Sequence, residues 1–242
     1  MPTIQVGQAR PVECRCRERK QPNPGQRQGR NQLIHDQRKF DHHHKDFLDS
    51  EERHRLLDAE AIVRSLPLAP DQTVGDVGCG TGFFTVPLAQ ALPRGKVLAF
   101  DVQEEMLATA RERVARQGLT NVEIRASQEL RLPLPDGLLD GAMAAFVLHE
   151  TQDLTGLLTE MRRVLKAGGW LAVLEFQRRQ GSGGPPLAIR LSPADTLAAL
   201  AAAGFRAIAE PSELNEQHYL VLARAQSGGP QVAGGAGGDI SL

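Results

Sequence analysis

The chain has 242 residues, and 28 Lys and Arg against 29 Asp and Glu give it a formal net charge of -1. A chain of this length can bury one sizeable core, so the sequence predicts a single folded domain. The charge is uneven, because residues 1–30 hold seven basic and two acidic side chains and leave the remainder mildly acidic. An acidic body disfavours a nucleic-acid partner, since neutralising phosphates requires a basic surface.

Compartment is indicated by the cysteines and by the absence of long apolar runs. The cysteines at positions 14, 16 and 79 are an odd number and indicate no disulfide framework. The N-terminus has no apolar signal-peptide core, and no run approaches the roughly 18 apolar residues of a membrane span. We therefore expect a soluble, cytoplasmic protein with no membrane partner.

Both ends of the chain predict disordered tails. Residues 1–31 are rich in Arg, Gln, Pro and Gly, and so few apolar side chains cannot offset the entropy of ordering. Cys14 and Cys16 resemble half of a metal site, but no second ligand pair follows at zinc spacing, so a solvated basic tail is favoured. Whether this tail belongs to the native protein is open. Residues 227–242, rich in Gly and Ala, predict the second tail.

The folded domain is predicted over residues 32–226, and its first part, 32–68, has a helical apolar spacing with Ser50 placed as an N-cap. Histidines at 42, 43 and 44 suggest a metal by composition. Three adjacent residues of a helix cannot face one ion, because only positions three or four apart share a face. We predict no metal site.

The most informative run is residues 74–85 (VGDVGCGTGFFT), which predicts a strand ending in a glycine loop that opens a helix. Its glycines let backbone amides approach a ligand, and the helix N-terminus favours an anionic group. A dinucleotide fingerprint requires a small residue where Phe83 stands. The spacing therefore disfavours a nucleotide-dependent oxidoreductase.

Strand and helix patterns alternate along the rest of the chain and predict a doubly wound α/β sheet. Asp101 ends the second strand, at the edge of the sheet where ligands bind, and its carboxylate can accept two hydrogen bonds from a ribose. Its alternative role is an N-cap for the next helix. The predicted strands are 73–78, 96–101, 121–126, 139–147, 170–176, 205–209 and 218–223, and the predicted helices after the loop are 82–91, 103–117, 151–165 and 192–204.

Asp76 and the glycines that follow, in the spacing Asp-x-Gly-x-Gly-x-Gly, resemble motif I of class I S-adenosylmethionine (SAM) dependent methyltransferases. Residues 132–140 (LPLPDGLLD) resemble the segment before strand four in the subgroup that contains quinone-biosynthesis enzymes. Residues 165–169 (LKAGG) resemble the family's turn before strand five, with Ala167 where proline is usual. The resemblance implies a Rossmann-like, seven-stranded sheet of order 3-2-1-4-5-7-6, with strand seven antiparallel.

The same resemblance implies that SAM is the cofactor, with its methionine part on the glycine loop. Where the family commonly has an Asp after strand three, this chain has Ser127 and Gln128 as candidates for the adenine amino group. Met106 is predicted beside the ring or in plain helix packing, and Asp76 either binds or holds the loop as a buried acid. The predicted cofactor-binding residues are Asp76, Gly78, Cys79, Gly80, Thr81, Gly82, Asp101, Val102, Met106, Ser127, Gln128 and Phe146.

His149 and Glu150 follow the fourth strand, where the resemblance places the substrate-facing lip. An imidazole near its ordinary pKa can take a proton as the methyl group moves, so His149 is the candidate catalytic residue. Its alternative role, like that of Glu150, is to shape the wall. The resemblance also implies that segment 32–68 covers the cofactor as a lid, with Phe40, His43 or Phe47 lining the acceptor pocket.

We predict a SAM-dependent methyltransferase that moves a methyl group to an O, N, C or S atom of a small molecule by direct displacement, without a metal. Arsenite is disfavoured as the acceptor, because its methylation in the family depends on cysteine thiolates and Cys79, in the cofactor loop, is the one cysteine in the body of the fold. The alternatives are a SAM-binding protein without methyl transfer and a macromolecule methyltransferase. The acceptor and the oligomeric state are left open.

Overall fold

The computed structural model describes residues 50–181 and 184–227. Both predicted tails apart from Ser227, the cysteines at 14 and 16, the histidines at 42–44, and Phe40 and Phe47 lie outside these residues. The elements in chain order are α1 (Glu51–Leu56), α2 (Ala59–Arg64), β1 (Thr73–Val77), α3 (Thr85–Ala91), β2 (Lys96–Asp101), α4 (Glu104–Arg116), β3 (Val122–Ala126), β4 (Leu139–Ala145), α5 (Leu154–Val164), β5 (Leu165–Phe176), α6 (Pro193–Ala202), β6 (Phe205–Ala207), β7 (Ser212–Glu213) and β8 (His218–Ala225).

The strands form one sheet of order β3-β2-β1-β4-β5-β8-β6, with β7 paired to β8 off this path. Neighbours from β3 to β5 run parallel, whereas β8 is antiparallel to both β5 and β6. This arrangement confirms the predicted Rossmann-like order. The numbering differs because the two-residue strand β7 makes the predicted strand seven the eighth along the chain.

The central strands are buried on both faces, as parallel sheets covered by helices require. Along β5, Leu171 and Val173 join one apolar cluster, whereas Trp170, Ala172 and Leu174 join the other. Alternate side chains of one strand therefore build the two cores on opposite faces of the sheet. Among the described residues, no helix combines the length and the apolar character that a membrane span requires.

The predicted helical segment before the sheet is interrupted. Ser50 caps α1 by accepting a hydrogen bond from the Arg53 backbone N-H (3.2 Å), as predicted. The helix ends after six residues, and Asp58 caps α2 by accepting from the Ala61 N-H at 2.8 Å. Continuity through to residue 66 is wrong, because the Asp58 side chain competes with the helical hydrogen bonds and starts a new helix.

Other boundaries also differ from the predicted ones. Gly82 has φ +84°, outside the helical region, and α3 begins only at Thr85. Asp153 caps α5 through the Gly156 N-H (2.8 Å), so this helix begins three residues later than predicted. The predicted turn at 165–169 lies inside β5, where the pairing with β4 slips between Leu139 and Gly141 and forms an irregularity.

Candidate functional site

A cavity of about 780 Å³ lies at the carboxyl ends of β1, β2, β4 and β5. In this sheet the strand order reverses between β1 and β4, which is where open α/β sheets bind ligands. Residues of α1 close one side of the cavity. His149 lines it, as does every predicted cofactor-binding residue but one, namely Asp76, Gly78, Cys79, Gly80, Thr81, Asp101, Val102, Met106, Ser127, Gln128 and Phe146.

The exception is Gly82. A Cβ atom at this position would lie 3.4 Å from the Ala110 Cβ of α4, so Gly82 lets the loop pack against that helix. Gly82 does not line the cavity, although Thr81 before it and Phe83 after it do. The sequence pattern contains both kinds of glycine, those at the ligand and those at a helix contact, without distinguishing them.

The glycine loop is held close to two neighbouring strand ends. Gly78 has φ +70°, and a Cβ atom there would lie 2.4 Å from Val147 Cγ2, just after β4. The Cys79 N-H donates to the Phe100 carbonyl of β2 at 2.8 Å. Only glycine satisfies both this backbone conformation and this approach at position 78. The loop therefore forms a cradle without side-chain obstruction.

Asp101 ties the loop to the end of β2. Its Oδ2 accepts from the Gly80 N-H and its Oδ1 from the Gln103 N-H, both at 2.9 Å. The N-cap of α4 is Gln103, so the alternative role of Asp101 as that cap is wrong. Contact of this carboxylate with the ribose hydroxyls stays a prediction.

Asp76 is a buried acid that borders the cavity. The Thr85 hydroxyl, at the start of α3, donates to its Oδ2 at 2.5 Å. Burial raises the pKa of Asp76 to about 7, against the lowering effect of Thr85 and with a further increase from the negative charge of Asp101. Asp76 thus holds the loop, as one of its two predicted roles requires, and is poised to ionise beside a cationic group.

His149 is paired with a carboxylate that the sequence analysis did not identify. Its Nδ1 lies 2.7 Å from Oε2 of Glu175, at the end of β5, and Glu175 is completely buried. Oε1 of Glu175 accepts from the N-H groups of Leu148 (2.9 Å) and His149 (3.3 Å). The carboxylate therefore fixes both the backbone and the ring of His149.

The charge of Glu175 also changes the proton affinity of His149. Burial by itself lowers the pKa of His149, and Arg190 acts in the same direction. The charge and hydrogen bond of Glu175, with a contribution from Glu150, outweigh both and raise the pKa above its ordinary value. A histidine whose Nδ1 donates to a carboxylate has its Nε2 available for a proton, as a general base requires.

Aromatic rings form the wall of the cavity next to His149. The Phe146 ring lies 4.6 Å from that of Phe176 and 5.3 Å from that of His218, and the Arg53 guanidinium lies 5.5 Å from the Phe146 ring. Phe146 has φ +64°, a strained conformation for a residue with a side chain, and its N-H donates to the Leu174 carbonyl at 2.8 Å. Such strain is concentrated at functional sites, where the fold enforces it.

Sequence reasoning did not identify Glu175, Phe176, His218 or Arg53 as site residues. A signal existed for Glu175, since a carboxylate that ends a buried apolar strand at the ligand edge of a sheet is unusual. No local signal marks His218 or Arg53, which arrive from the last strand and from the helix before the sheet. Within residues 50–181 and 184–227, no cluster of three metal-ligating side chains is present.

A largely parallel sheet, with a glycine cradle and the Asp101 carboxylate beside its switch point, is the arrangement in which α/β proteins bind nucleoside cofactors. Residues 74–169 match the profile of a family described as a methyltransferase domain. A SAM-dependent methyltransferase from Aquifex aeolicus is 35% identical, with a TM-score of 0.73 over 77% of this chain and 100% of that protein. The structure of human N-acetylserotonin methyltransferase with SAM, at 22% identity, shares the fold (TM-score 0.57, 71% of this chain and 52% of the other).

Curated relatives include a demethylmenaquinone methyltransferase from Geobacillus stearothermophilus, 36% identical over 115 residues, which are 47% of this chain and 49% of the relative. Another from Listeria monocytogenes is 39% identical over 101 residues, 41% of this chain and 43% of the relative. The chain thus spans about half the length of these curated relatives. Because the fold, the site and the similarity to the whole Aquifex protein agree, the chain belongs to the class I SAM-dependent methyltransferases. SAM is accordingly its cofactor, and the cavity has the volume and the open backbone cradle that such a ligand needs.

Proposed function

We propose that this protein is an enzyme that transfers the methyl group of SAM to a small-molecule acceptor by direct displacement, with His149 as the proton acceptor. The observation that supports it most is the His149–Glu175 pair, which lies on the wall of the same cavity as the glycine cradle. A cofactor site alone would serve any SAM-binding protein. A base oriented by a buried carboxylate beside that site favours catalysis.

One half of the cavity suits the cofactor. SAM supplies a methyl group activated on a sulfonium centre, so the protein's task is to bind, orient and exclude water. The loop amides around Gly80 would hold the methionine part, and Asp101 the ribose hydroxyls. An ammonium group near Asp76 would favour the ionised form of that buried acid. Ser127 and Gln128, which follow β3 at the rim, are the candidates for adenine.

The other half suits a planar acceptor. His149 takes the acceptor proton on Nε2 while Nδ1–H stays bonded to Glu175. Bound SAM would supply the methyl carbon, and its sulfur would keep the electron pair of the broken carbon–sulfur bond as a neutral thioether. The flat rings of Phe146 and Phe176 offer stacking surfaces for a ring. The relatives' name, demethylmenaquinone methyltransferase, supports a ring-containing acceptor of the quinone type.

The compartment, the acceptor atom and the lid stay predictions. The cysteine usage supports cytoplasmic residence. No feature of the described cavity supports a macromolecular acceptor. Arg53, Leu56 and Leu57, from the described part of segment 32–68, line the cavity, which supports the lid proposed for that segment.

The function is tested by two measurements on the full chain. Isothermal titration with SAM and with S-adenosylhomocysteine measures cofactor binding. Incubation with methyl-labelled SAM and a small-molecule extract, followed by identification of labelled products, measures transfer. We expect binding and a labelled small molecule, and we expect His149→Ala to bind SAM normally but to lose at least about 100-fold in turnover. Tight binding without any labelled product would instead identify a SAM-binding protein without transferase activity.

A further inference from the structure

His218, the first residue of β8, is a second imidazole at the acceptor end of the cavity. It lines the cavity, and its ring lies 5.3 Å from that of Phe146 and 5.0 Å from that of Phe176. The Phe176 ring also contacts that of His149, at 5.7 Å. The two imidazoles therefore contact the same aromatic side chain.

The tautomer of His218 follows from the orientation of Asn215. The Asn215 Nδ2 donates to the Leu56 carbonyl at 2.7 Å, and its Oδ1 accepts from the backbone N-H groups of Gln217 (2.8 Å) and His218 (2.9 Å). These bonds assign the amide oxygen without ambiguity. The same oxygen lies 3.0 Å from Nδ1 of His218. Because an amide oxygen cannot donate, Nδ1 carries the hydrogen and Nε2 carries a lone pair.

The surroundings of His218 keep its ring neutral. Burial lowers its pKa to about 4, and the positive charges of Arg53, from α1, and Arg190, from the segment before α6, lower it in the same direction. His149 differs, since its Nδ1 bonds to a carboxylate instead of an amide. In the part of the chain that the structure describes, Nε2 of His218 has no hydrogen-bond partner.

We propose that His218 is a specificity-determining residue, whose Nε2 accepts a hydrogen bond from a second O-H or N-H group of the acceptor while a first such group gives its proton to His149. This inference rests on the proposed function and narrows its substrate class. The acceptor is then a flat ring with two donor groups that can reach both histidines at once. A ring whose second donor is absent or already methylated leaves Nε2 of His218 unpaired in the occupied cavity, which costs about 10- to 100-fold in affinity.

The test uses the full chain with ¹⁵N-labelled histidine, saturated with S-adenosylhomocysteine, and three probes of matched shape. These are catechol, 2-methoxyphenol and 1,2-dimethoxybenzene, which carry two, one and no hydroxyl groups. We expect a neutral His218 at pH 7 with its proton on Nδ1, and an Nε2 resonance that shifts with catechol and stays in place with 1,2-dimethoxybenzene. Catechol should bind at least about 10-fold more tightly than 2-methoxyphenol, which lacks the second donor group.

A His218→Phe variant keeps a ring in the aromatic cluster and removes Nε2 but leaves His149 in place, so it should bind catechol and 2-methoxyphenol alike. The tautomer measurement needs no variant and stands if His218→Phe does not fold. A proton on Nε2, a charged ring at pH 7, or equal affinities for catechol and 2-methoxyphenol would overturn the inference. These readouts do not depend on methyl transfer, so a failure of the proposed function would be seen separately, in the labelling experiment.

Discussion

The Glu175→Gln substitution tests whether His149 is a general base whose tautomer and pKa are set by the buried carboxylate of Glu175. Of the donors around Glu175, two backbone N-H groups face Oε1, whereas His149 Nδ1 (2.7 Å) and the Phe176 N-H (3.3 Å) face Oε2. A glutamine whose amide oxygen takes the place of Oε1, next to the two backbone N-H groups, presents its NH₂ group to Nδ1 of His149. Nδ1 must then accept, and the imidazole proton moves to Nε2, where the base needs its lone pair.

The expected magnitude follows from these contacts. A displaced tautomer removes general base catalysis, which contributes about 100- to 10,000-fold. Loss of the charge of Glu175 removes the main cause that raises the pKa of His149 and leaves only the smaller effect of Glu150. In the wild type, catalysis should therefore rise with pH through a midpoint above about 6.5, and in Glu175→Gln the midpoint of the residual activity should fall to lower pH. Loss of charge-assisted hydrogen bonds should also cost about 2 kcal/mol of unfolding free energy.

The assay is the pH dependence of kcat/KM, once the labelling experiment has identified an acceptor, together with urea denaturation. Glu160→Gln is the matched control, because Glu160 is also a buried glutamate that accepts a backbone N-H, from Leu132 at 2.7 Å. It pairs with Arg163 and has no contact with His149. We expect the control to lose stability and to keep the wild-type pH midpoint. A folded Glu175→Gln enzyme with wild-type turnover and midpoint would refute the reasoning.

Two further substitutions test the cofactor half. Gly78 has φ +70°, and an added Cβ would lie 2.4 Å from Val147 Cγ2, so Gly78→Ala should weaken SAM binding at least about 10-fold by calorimetry. The control is Gly118→Ala, where φ is +62° and no atom lies within 4 Å of the added Cβ, and this variant should bind SAM normally. Equal affinities of the two variants would contradict the role of Gly78 in the cradle. Asp76 binds a proton more tightly in the folded state, so its contribution to stability falls as pH rises from about 4 to 7. In urea denaturation, the unfolding free energy of Asp76→Asn should therefore rise by about 2.5 kcal/mol relative to that of the wild type between pH 5 and pH 8. A constant difference between the two proteins across that range would show that Asp76 titrates normally.

Much of the fold was predictable because its signals are local. The apolar runs of β1, β2, β4 and β5, each followed by a helical pattern, require a sheet covered on both faces. The glycine loop and Asp101 were predictable for the same reason, since their spacing along the chain reflects backbone geometry at one sheet edge. The errors lie at element ends, as at Asp58 and Gly82, where a side-chain cap or a single positive φ decides the boundary.

The local patterns of the amino-acid sequence predicted the alternating strands and helices and the cofactor edge, and the family that these motifs resemble implied the strand order. Only the tertiary structure decided how the acceptor end is built, because its pairs join distant parts of the chain. His149 meets Glu175 across 26 residues, and Asn215, which orients His218, reaches the Leu56 carbonyl across 159. The physical reason is that the proton affinity of an imidazole depends on the charges packed around it, and no spacing along the chain records which charges those are.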